Sequence, residues 1–223
     1  ENFSTDLVHE IRNPLASLKS ASEIISDTTD KDKREKLLKI MTHDVSRIDR
    51  LITDYSQMLK DELAISSEQI EDLDLKPIIE SVVDDFNNIY VEKKNVTIKL
   101  VTSGAEKYLI KGISNRVEQI IANLLDNSVS FSKNGSTVTV DLNENEHHNI
   151  LKVSDEGKGF RETDIKKVFD RFYSNRPENF GEHSGLGLNI VKNLVQIHKG
   201  EIYASNSPRG GAMIEIKFPK NYN

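Results

Sequence analysis

Apolar residues in the first quarter of the chain recur every three or four positions, a spacing that predicts amphipathic helices. The first series comprises Phe3, Leu7, Ile11, Leu15, Leu18, Ala21 and Ile25. The second comprises Leu38, Met41, Val45, Ile48, Ile52, Tyr55 and Leu59, and it follows a heptad pattern throughout. The polar segment SDTTDKDK between the two series predicts a turn. Residues 1–65 are therefore expected to form a helical hairpin.

The apolar stripes of this hairpin are too long for its two helices to cover by themselves. Pairing with a second copy of the chain would complete a four-helix bundle, so we expect a homodimer. Packing of the hairpin against the C-terminal half of the same chain is the alternative that the sequence leaves open.

The pattern changes in the following segment, LAISSEQIEDL, which is typical of a linker or of a fraying helix end. We place the linker at residues 66–73 and a second domain at residues 74–223. Helical periodicity is found in Lys76–Tyr90, Ser114–Phe131 and Leu186–His198. Strand-like segments are Val96–Thr102, Thr137–Asn143, Ile150–Ser154, Glu201–Ala204 and Ala212–Phe218. Several of them alternate with a period of two, which predicts an α/β sandwich whose sheet has one covered face. The fold class is therefore α+β, a helical hairpin followed by this sandwich.

Composition narrows the function without identifying it. The chain has 223 residues and a net charge of −6, which argues against a general nucleic-acid or anionic-membrane surface. It has no cysteine, which excludes disulfides, thiolate metal sites and thiol catalysis. No apolar run approaches the ~18 residues of a membrane span. Because the sequence begins with Glu1 and not with Met, we expect it to be part of a longer protein.

The segment VHEIRNPL carries the first candidate chemistry. At ~100° per residue, His9 and Asn13 lie within about 40° of each other on one helical face. Leu7 and Ile11 each lie roughly 200° from His9, so the imidazole should point away from the buried stripe. An exposed histidine beside the carboxylate of Glu10 suits phosphoryl acceptance. The plain alternative is a surface histidine with chance neighbours.

Two later segments carry side chains suited to a nucleotide. In NLLDNSVSFS, Asn123 and Asn127 are one helical turn apart, so both amide oxygens could bind one Mg²⁺ or phosphate. In DEGKGF, Asp155 follows a strand, where its carboxylate could accept the exocyclic amine of adenine. Gly157 and Gly159 would allow the backbone to turn against a flat ligand.

Two further segments complete the set. The stretch VFDRFYSNRPENFGEHS, with Phe169 and Phe172 at its base, is typical of a mobile lid. In GLGLNIVKNLV, Gly185 and Gly187 open a helix whose free N–H groups could bind phosphate oxygens. The chain has no G-x-x-x-x-G-K-[ST] motif, so it is not a P-loop protein. Each segment alone is weak evidence, but their combination and order are specific.

In this combination the chain resembles a bacterial sensor histidine kinase. HEIRNP resembles the H box of the dimerisation and histidine-phosphotransfer domain. The four later segments resemble the N, G1, F and G2 boxes of the catalytic ATP-binding domain, a Bergerat-type α/β sandwich. KREKLLKIMTHDVSRIDRLITDYS, LLDNSVSFS and RFYSNRPENFGEHSGLGL further resemble the ChvG/ExoS-like group.

The resemblance implies a function and a set of site residues. His9 would be phosphorylated from ATP with Glu10 as its acid–base partner, and a response regulator would then receive the phosphoryl group. Asn13 could orient a water for dephosphorylating that regulator. Asn123 and Asn127 would hold Mg²⁺ and phosphates, and Asp155 would bind adenine. The remaining nucleotide-binding candidates are Gly157, Gly159, Phe169, Arg171, Phe172, Gly185, Leu186, Gly187 and Leu188. The parent protein would be a membrane sensor, with this part in the cytoplasm.

The sequence departs from the family at Ser130, where most members carry a lysine or arginine that can meet a phosphate. Lys133, Arg171 and Arg176 are candidates to replace that charge. Two other classes stay open: an ATP-driven conformational machine of the Hsp90 or MutL type, and a scaffold that binds ATP or a regulator without turnover.

Overall fold

The computed structural model describes residues 3–65, 68–161, 164–173, 185–208 and 210–220. The chain divides into two compact units, one helical and one α/β, which confirms the predicted fold class. Within the described ranges, no helix is both long enough and apolar enough to cross a lipid bilayer.

The helical unit is a hairpin of α1 (Phe3–Asp27) and α2 (Lys31–Ile65). α1 runs through Pro14, whose ring is buried. The turn between the helices is only three residues long, and its last residue, Asp30, directly precedes α2. Its carboxylate Oδ1 accepts hydrogen bonds from the backbone N–H groups of Asp32 and Lys33, at 3.0 and 3.2 Å. A side-chain oxygen at this position satisfies N–H groups that have no partner inside the helix.

The heptad series of α2 is divided between two faces. Met41, Ile48 and Tyr55 are half-buried, and Leu51 is buried, so this face packs inside the hairpin. A second set of apolar residues, seven positions apart, is exposed in the single chain: Leu38, Val45, Ile52 and Leu59. Val8 and Leu15 of α1 are exposed as well. The hairpin therefore leaves an apolar stripe uncovered, as the sequence pattern predicts.

The α/β unit is built on a five-stranded sheet with the order β2-β4-β5-β7-β6. Its elements are β1 (Glu71–Asp74), α3 (Leu75–Lys94), β2 (Thr97–Thr102), β3 (Leu109–Gly112), α4 (Ser114–Phe131), β4 (Thr137–Glu144), β5 (His148–Ser154), a 3₁₀ helix (Ile165–Phe169), α5 (Gly187–Ile197), β6 (Glu201–Asn206) and β7 (Ala212–Pro219). β2 runs parallel to β4, and the other neighbouring strands of this sheet are antiparallel.

One face of the sheet is covered by helices and the other is solvated. In β4, Val138, Val140 and Leu142 are fully buried, and the residues between them are half-buried. On the other face, Lys152 of β5 pairs with Glu215 of β7 at 3.1 Å. The period of two in the sequence therefore reports the two faces correctly.

The two short strands β1 and β3 were not predicted from the sequence. They pair antiparallel with each other, and the first three residues of β1 lie in the segment predicted as a linker. Each has four residues, and the sequence of β1, EDLD, has little strand propensity. Backbone pairing, rather than side-chain preference, makes this segment a strand.

Two buried polar contacts hold the start of α4. Arg116, whose side chain is 7% exposed, donates from Nε and Nη2 to both carboxylate oxygens of Glu68, at 2.9 and 2.8 Å. His198 lies directly after α5, and its Nε2 accepts a hydrogen bond from the backbone N–H of Ile113 at 3.1 Å. Its Nδ1 forms a hydrogen bond with the carbonyl oxygen of Leu194. Burial lowers the pKa of His198, so the fold favours the neutral ring.

Candidate functional site

The predicted phospho-acceptor motif lies on α1 with His9 on its exposed side. Asn13, one turn later, is also exposed, while Leu7 and Ile11 are half-buried. The imidazole is therefore accessible to another domain or molecule, as phosphoryl acceptance requires.

Glu10 faces the second helix of the hairpin. Its Oε2 accepts a hydrogen bond from Nη2 of Arg47 at 3.1 Å. Within the part of the chain that the structure describes, no hydrogen bond joins Glu10 to His9. Arg47 was not singled out from the sequence, because only the packing of α1 on α2 brings it to a residue 37 positions away.

In the α/β unit, α4 places Asn123 and Asn127 on one half-buried face, one turn apart. Asn123 donates from Nδ2 to the carbonyl of Gln119 at 2.9 Å. A Cβ added to Gly187 would lie 3.4 Å from Oδ1 of Asn123, so the first turn of α5 passes directly beside this amide. The fold thus brings together two of the predicted nucleotide segments.

Asp155 is nearly buried in the loop after β5, with 5% of its surface exposed. Its Oδ1 accepts hydrogen bonds from the N–H groups of Gly157 and Ala212, at 2.8 and 3.1 Å. Burial raises the pKa of the Asp155 carboxyl, and these two bonds oppose the shift. Neither bond uses Oδ2, which is therefore the oxygen available to a ligand.

The glycines around Asp155 are required by close backbone packing. A Cβ on Gly157 would lie 2.8 Å from both Oδ1 of Asp155 and the carbonyl oxygen of Phe131, at the end of α4. Gly159 has a φ of +71° and leaves no room for a Cβ beside Asn206. Gly211, which the sequence analysis missed, has a φ of +84°, and its Cβ would lie 1.8 Å from the carbonyl oxygen of Asp155. The loop that carries the aspartate is therefore tightly fixed.

Asn206 is a second residue that the sequence analysis missed. Its Oδ1 accepts from the N–H of Phe160 at 2.6 Å, and its Nδ2 donates to the carbonyl of Phe160 at 3.0 Å. This pair of bonds holds the glycine-containing loop after Asp155 against the end of β6. No local signal marks such a residue, since the contact spans 46 positions.

The base of the predicted lid is partly described. Phe169 is buried at the end of the 3₁₀ helix, and its carbonyl accepts a hydrogen bond from Asn189 of α5 at 2.9 Å. Phe172 is half-buried with a φ of +58°, and Arg171 is exposed. Residues 174–184, including Arg176, lie outside the described residues.

The glycine-rich segment before α5 continues the set of predicted residues. Gly185 has a φ of +76°, a conformation that other residues rarely adopt. Leu186 is buried, and Leu188 is half-buried in the first turn of α5.

The residues predicted to bind phosphate and metal lie in and just after the second half of α4. Ser130, where a basic residue is usual in the family, donates its hydroxyl to the carbonyl of Asn127 at 2.7 Å, and Lys133 is exposed. Among the residues described, no three His, Asp or Glu side chains form a cluster that could hold a metal ion. Amide oxygens and phosphate oxygens are ligands that Mg²⁺ accepts, so Asn123 and Asn127 fit a metal that arrives with a nucleotide.

Two family models match the chain, over different parts of it. The His Kinase A (phospho-acceptor) domain matches residues 1–63, which include His9. The histidine kinase-, DNA gyrase B- and HSP90-like ATPase matches residues 112–222, which include the asparagines of α4 and Asp155. The chain therefore belongs to the histidine kinases.

Among individual proteins, the chain is similar to the sensor protein ChvG of two bacteria. It is 36% identical over 213 residues to ChvG of Agrobacterium fabrum and 35% identical over 214 residues to that of Rhizobium meliloti. These matches cover 92% of this chain and 36% and 37% of the two relatives, so the chain spans about a third of their length. The predicted likeness to the ChvG group is confirmed.

A solved structure gives the same fold. The histidine kinase ThkA, crystallised in complex with the response regulator protein TrrA, superposes with a TM-score of 0.69 at 21% identity. The match covers 98% of this chain and 61% of that one.

Proposed function

We propose that this chain is the core of a sensor histidine kinase that transfers the γ-phosphoryl group of ATP to His9 and then to an aspartate of a response regulator. The observation that carries the proposal is the environment of Asp155. Its Oδ1 is held by two backbone N–H groups, and its Oδ2 is left for a ligand beside the helix that carries Asn123 and Asn127. An exposed histidine in a phospho-acceptor domain supplies the acceptor.

In this proposal the α/β unit binds ATP from two sides. Asp155 accepts a hydrogen bond from the exocyclic amine of adenine, while the N–H groups in the first turn of α5 donate hydrogen bonds to phosphate oxygens. The other residues proposed to surround the nucleotide are Gly157, Gly159, Phe169, Arg171, Phe172, Gly185, Leu186, Gly187 and Leu188. Asn123 and Asn127 hold Mg²⁺, which neutralises phosphate charge when it is bound.

The phosphoryl transfer is an in-line displacement at the γ-phosphorus. A ring nitrogen of His9 forms the new N–P bond, the bond from the γ-phosphorus to the bridging oxygen breaks, and ADP leaves. Glu10 accepts a hydrogen bond from the other ring N–H and stabilises the positive charge that develops on the imidazole. The phosphoryl group then passes to a carboxylate oxygen of the regulator's aspartate.

Incubation with γ-labelled ATP tests the proposal against its alternatives. We expect acid-labile label on the protein, and we expect His9→Gln to abolish it. Release of free phosphate without protein label would favour a conformational ATPase instead. If neither protein label nor free phosphate forms, the result would favour a non-catalytic scaffold.

We also propose a phosphatase activity on the phosphorylated regulator, with Asn13 orienting the attacking water. Asn13 is exposed one turn from His9, which is where such a water would have to lie. We expect Asn13→Ala to keep autophosphorylation and to lose most of the phosphatase activity. Phosphatase activity equal to that of the wild type would contradict this role.

The proposed assembly is a homodimer through the uncovered stripe of Leu38, Val45, Ile52 and Leu59. In domain terms, we propose residues 1–65 as the phosphotransfer hairpin, 66–73 as the connection and 74–223 as the catalytic domain, with the parent protein a membrane sensor. Sedimentation equilibrium tests the dimer, because a mass of 25.3 kDa, that of one copy, would contradict it.

A further inference from the structure

We propose that Arg47 of α2 is a positioning residue for Glu10 in the phosphorylation of His9. This inference rests on the proposed function, because it concerns the residue that would assist the attacking imidazole. It adds that a residue of α2 assists the chemistry that takes place on α1.

The contact joins the two helices of the hairpin. Nη2 of Arg47 lies 3.1 Å from Oε2 of Glu10, which is hydrogen-bond distance. Oε1 of Glu10 makes no hydrogen bond to any residue that the structure describes. One carboxylate oxygen is therefore held, and the other is left for the neighbouring imidazole.

The exposure of the pair indicates that it orients the Glu10 side chain more than it stabilises the fold. The side chains of Arg47 and Glu10 are 42% and 28% exposed, and ion pairs this accessible contribute little to folding. A free glutamate side chain samples several rotamers, of which few direct an oxygen to the adjacent ring. A charge-assisted bond to arginine selects among them before the nucleotide arrives.

The chain offers a matched control on the same helix. Lys39 and Glu35 form an ion pair at 2.8 Å, with 75% and 68% exposure, one helical turn apart on α2. This pair lies within one helix and makes no contact with Glu10. Its removal should leave the phosphorylation of His9 unchanged.

The test is a double-mutant cycle on the rate of autophosphorylation, measured with Arg47→Ala, Glu10→Gln and the two combined. We expect Glu10→Gln to lower the rate about 100-fold. Arg47→Ala should lower it about tenfold with an unchanged KM for ATP, because Arg47 lies on the hairpin and not on the elements that carry Asn123, Asn127 and Asp155. In the Glu10→Gln background, Arg47→Ala should change the rate less than about twofold.

Further variants separate positioning from other roles. Arg47→Lys keeps a single charged donor and should recover part of the rate, whereas Lys39→Ala should match the wild type. An equal loss from Arg47→Ala with and without Glu10 would overturn the proposal, since Arg47 would then act on its own. A wild-type rate for Arg47→Ala would overturn it as well, while label on His9 in that experiment would leave the proposed function intact.

Discussion

The substitution Asp155→Asn isolates the oxygen that we assign to adenine. The amide oxygen of asparagine can accept the same two bonds, from Gly157 and Ala212, that Oδ1 accepts in the wild type. The amide nitrogen then replaces Oδ2. A hydrogen-bond acceptor becomes a donor at the position that we assign to the ligand, with almost no change in shape.

The expected losses follow from these contacts. A hydrogen bond to a charged group is worth about 1.5–3 kcal/mol. ATP should therefore bind about 10- to 100-fold more weakly, since about 1.4 kcal/mol corresponds to a factor of ten. Burial raises the pKa of the Asp155 carboxyl, so the fold penalises its charge, and a neutral asparagine should not lower the free energy of unfolding.

Isothermal titration calorimetry with two nucleotides checks this prediction. ATP should show the loss, while purine riboside triphosphate, which lacks the amine, should bind the wild type and Asp155→Asn about equally. Asp155→Ala is the contrasting variant: it takes the acceptor from two part-buried N–H groups, at up to about 1–3 kcal/mol each, and should also lower the melting temperature. Unchanged ATP affinity in a folded Asp155→Asn protein would refute the assignment.

Three further predictions concern the packing of the α/β unit. Gly211→Ala should lower both the free energy of unfolding and the affinity for ATP, because its Cβ would lie 1.8 Å from a backbone oxygen. The control Gly210→Ala, at a φ of +90° with open space around the Cβ, should cost only about 1–2 kcal/mol of stability. Equal effects of the two substitutions in a denaturation series would refute this. The wild type should lose stability as the pH falls below about 6.5, where the unfolded chain protonates His198 and the fold resists it, and His198→Gln should lack this part of the pH dependence. A pH dependence identical in both proteins would contradict the role of His198. Glu68→Ala should lower the free energy of unfolding in urea by about 3 kcal/mol, because it leaves the buried guanidinium of Arg116 without its carboxylate. A loss below about 1 kcal/mol would contradict this, since solvent would then compensate the charge.

The sequence predicted the larger elements because their periodicity is local. α4 was predicted at Ser114–Phe131 and is found there, since the buried residues of this helix recur on one side. The strands of the main sheet were found from their alternation. β1 and β3 were not found, because strands this short are defined by their partner and not by their own residues.

The candidate site shows the same division. The sequence by itself determined which residues are the candidates for chemistry. His9, Glu10, the asparagines of α4 and Asp155 all stand in short motifs whose spacing is fixed along the chain. Only the tertiary structure decided what holds them. Arg47 meets Glu10 across a hairpin. Asn206, at the end of β6, and Gly211, directly before β7, meet the Asp155 loop from about 50 residues away. Such contacts depend on how elements pack, and packing leaves no local periodic signal because one partner can be any residue with the right shape or charge.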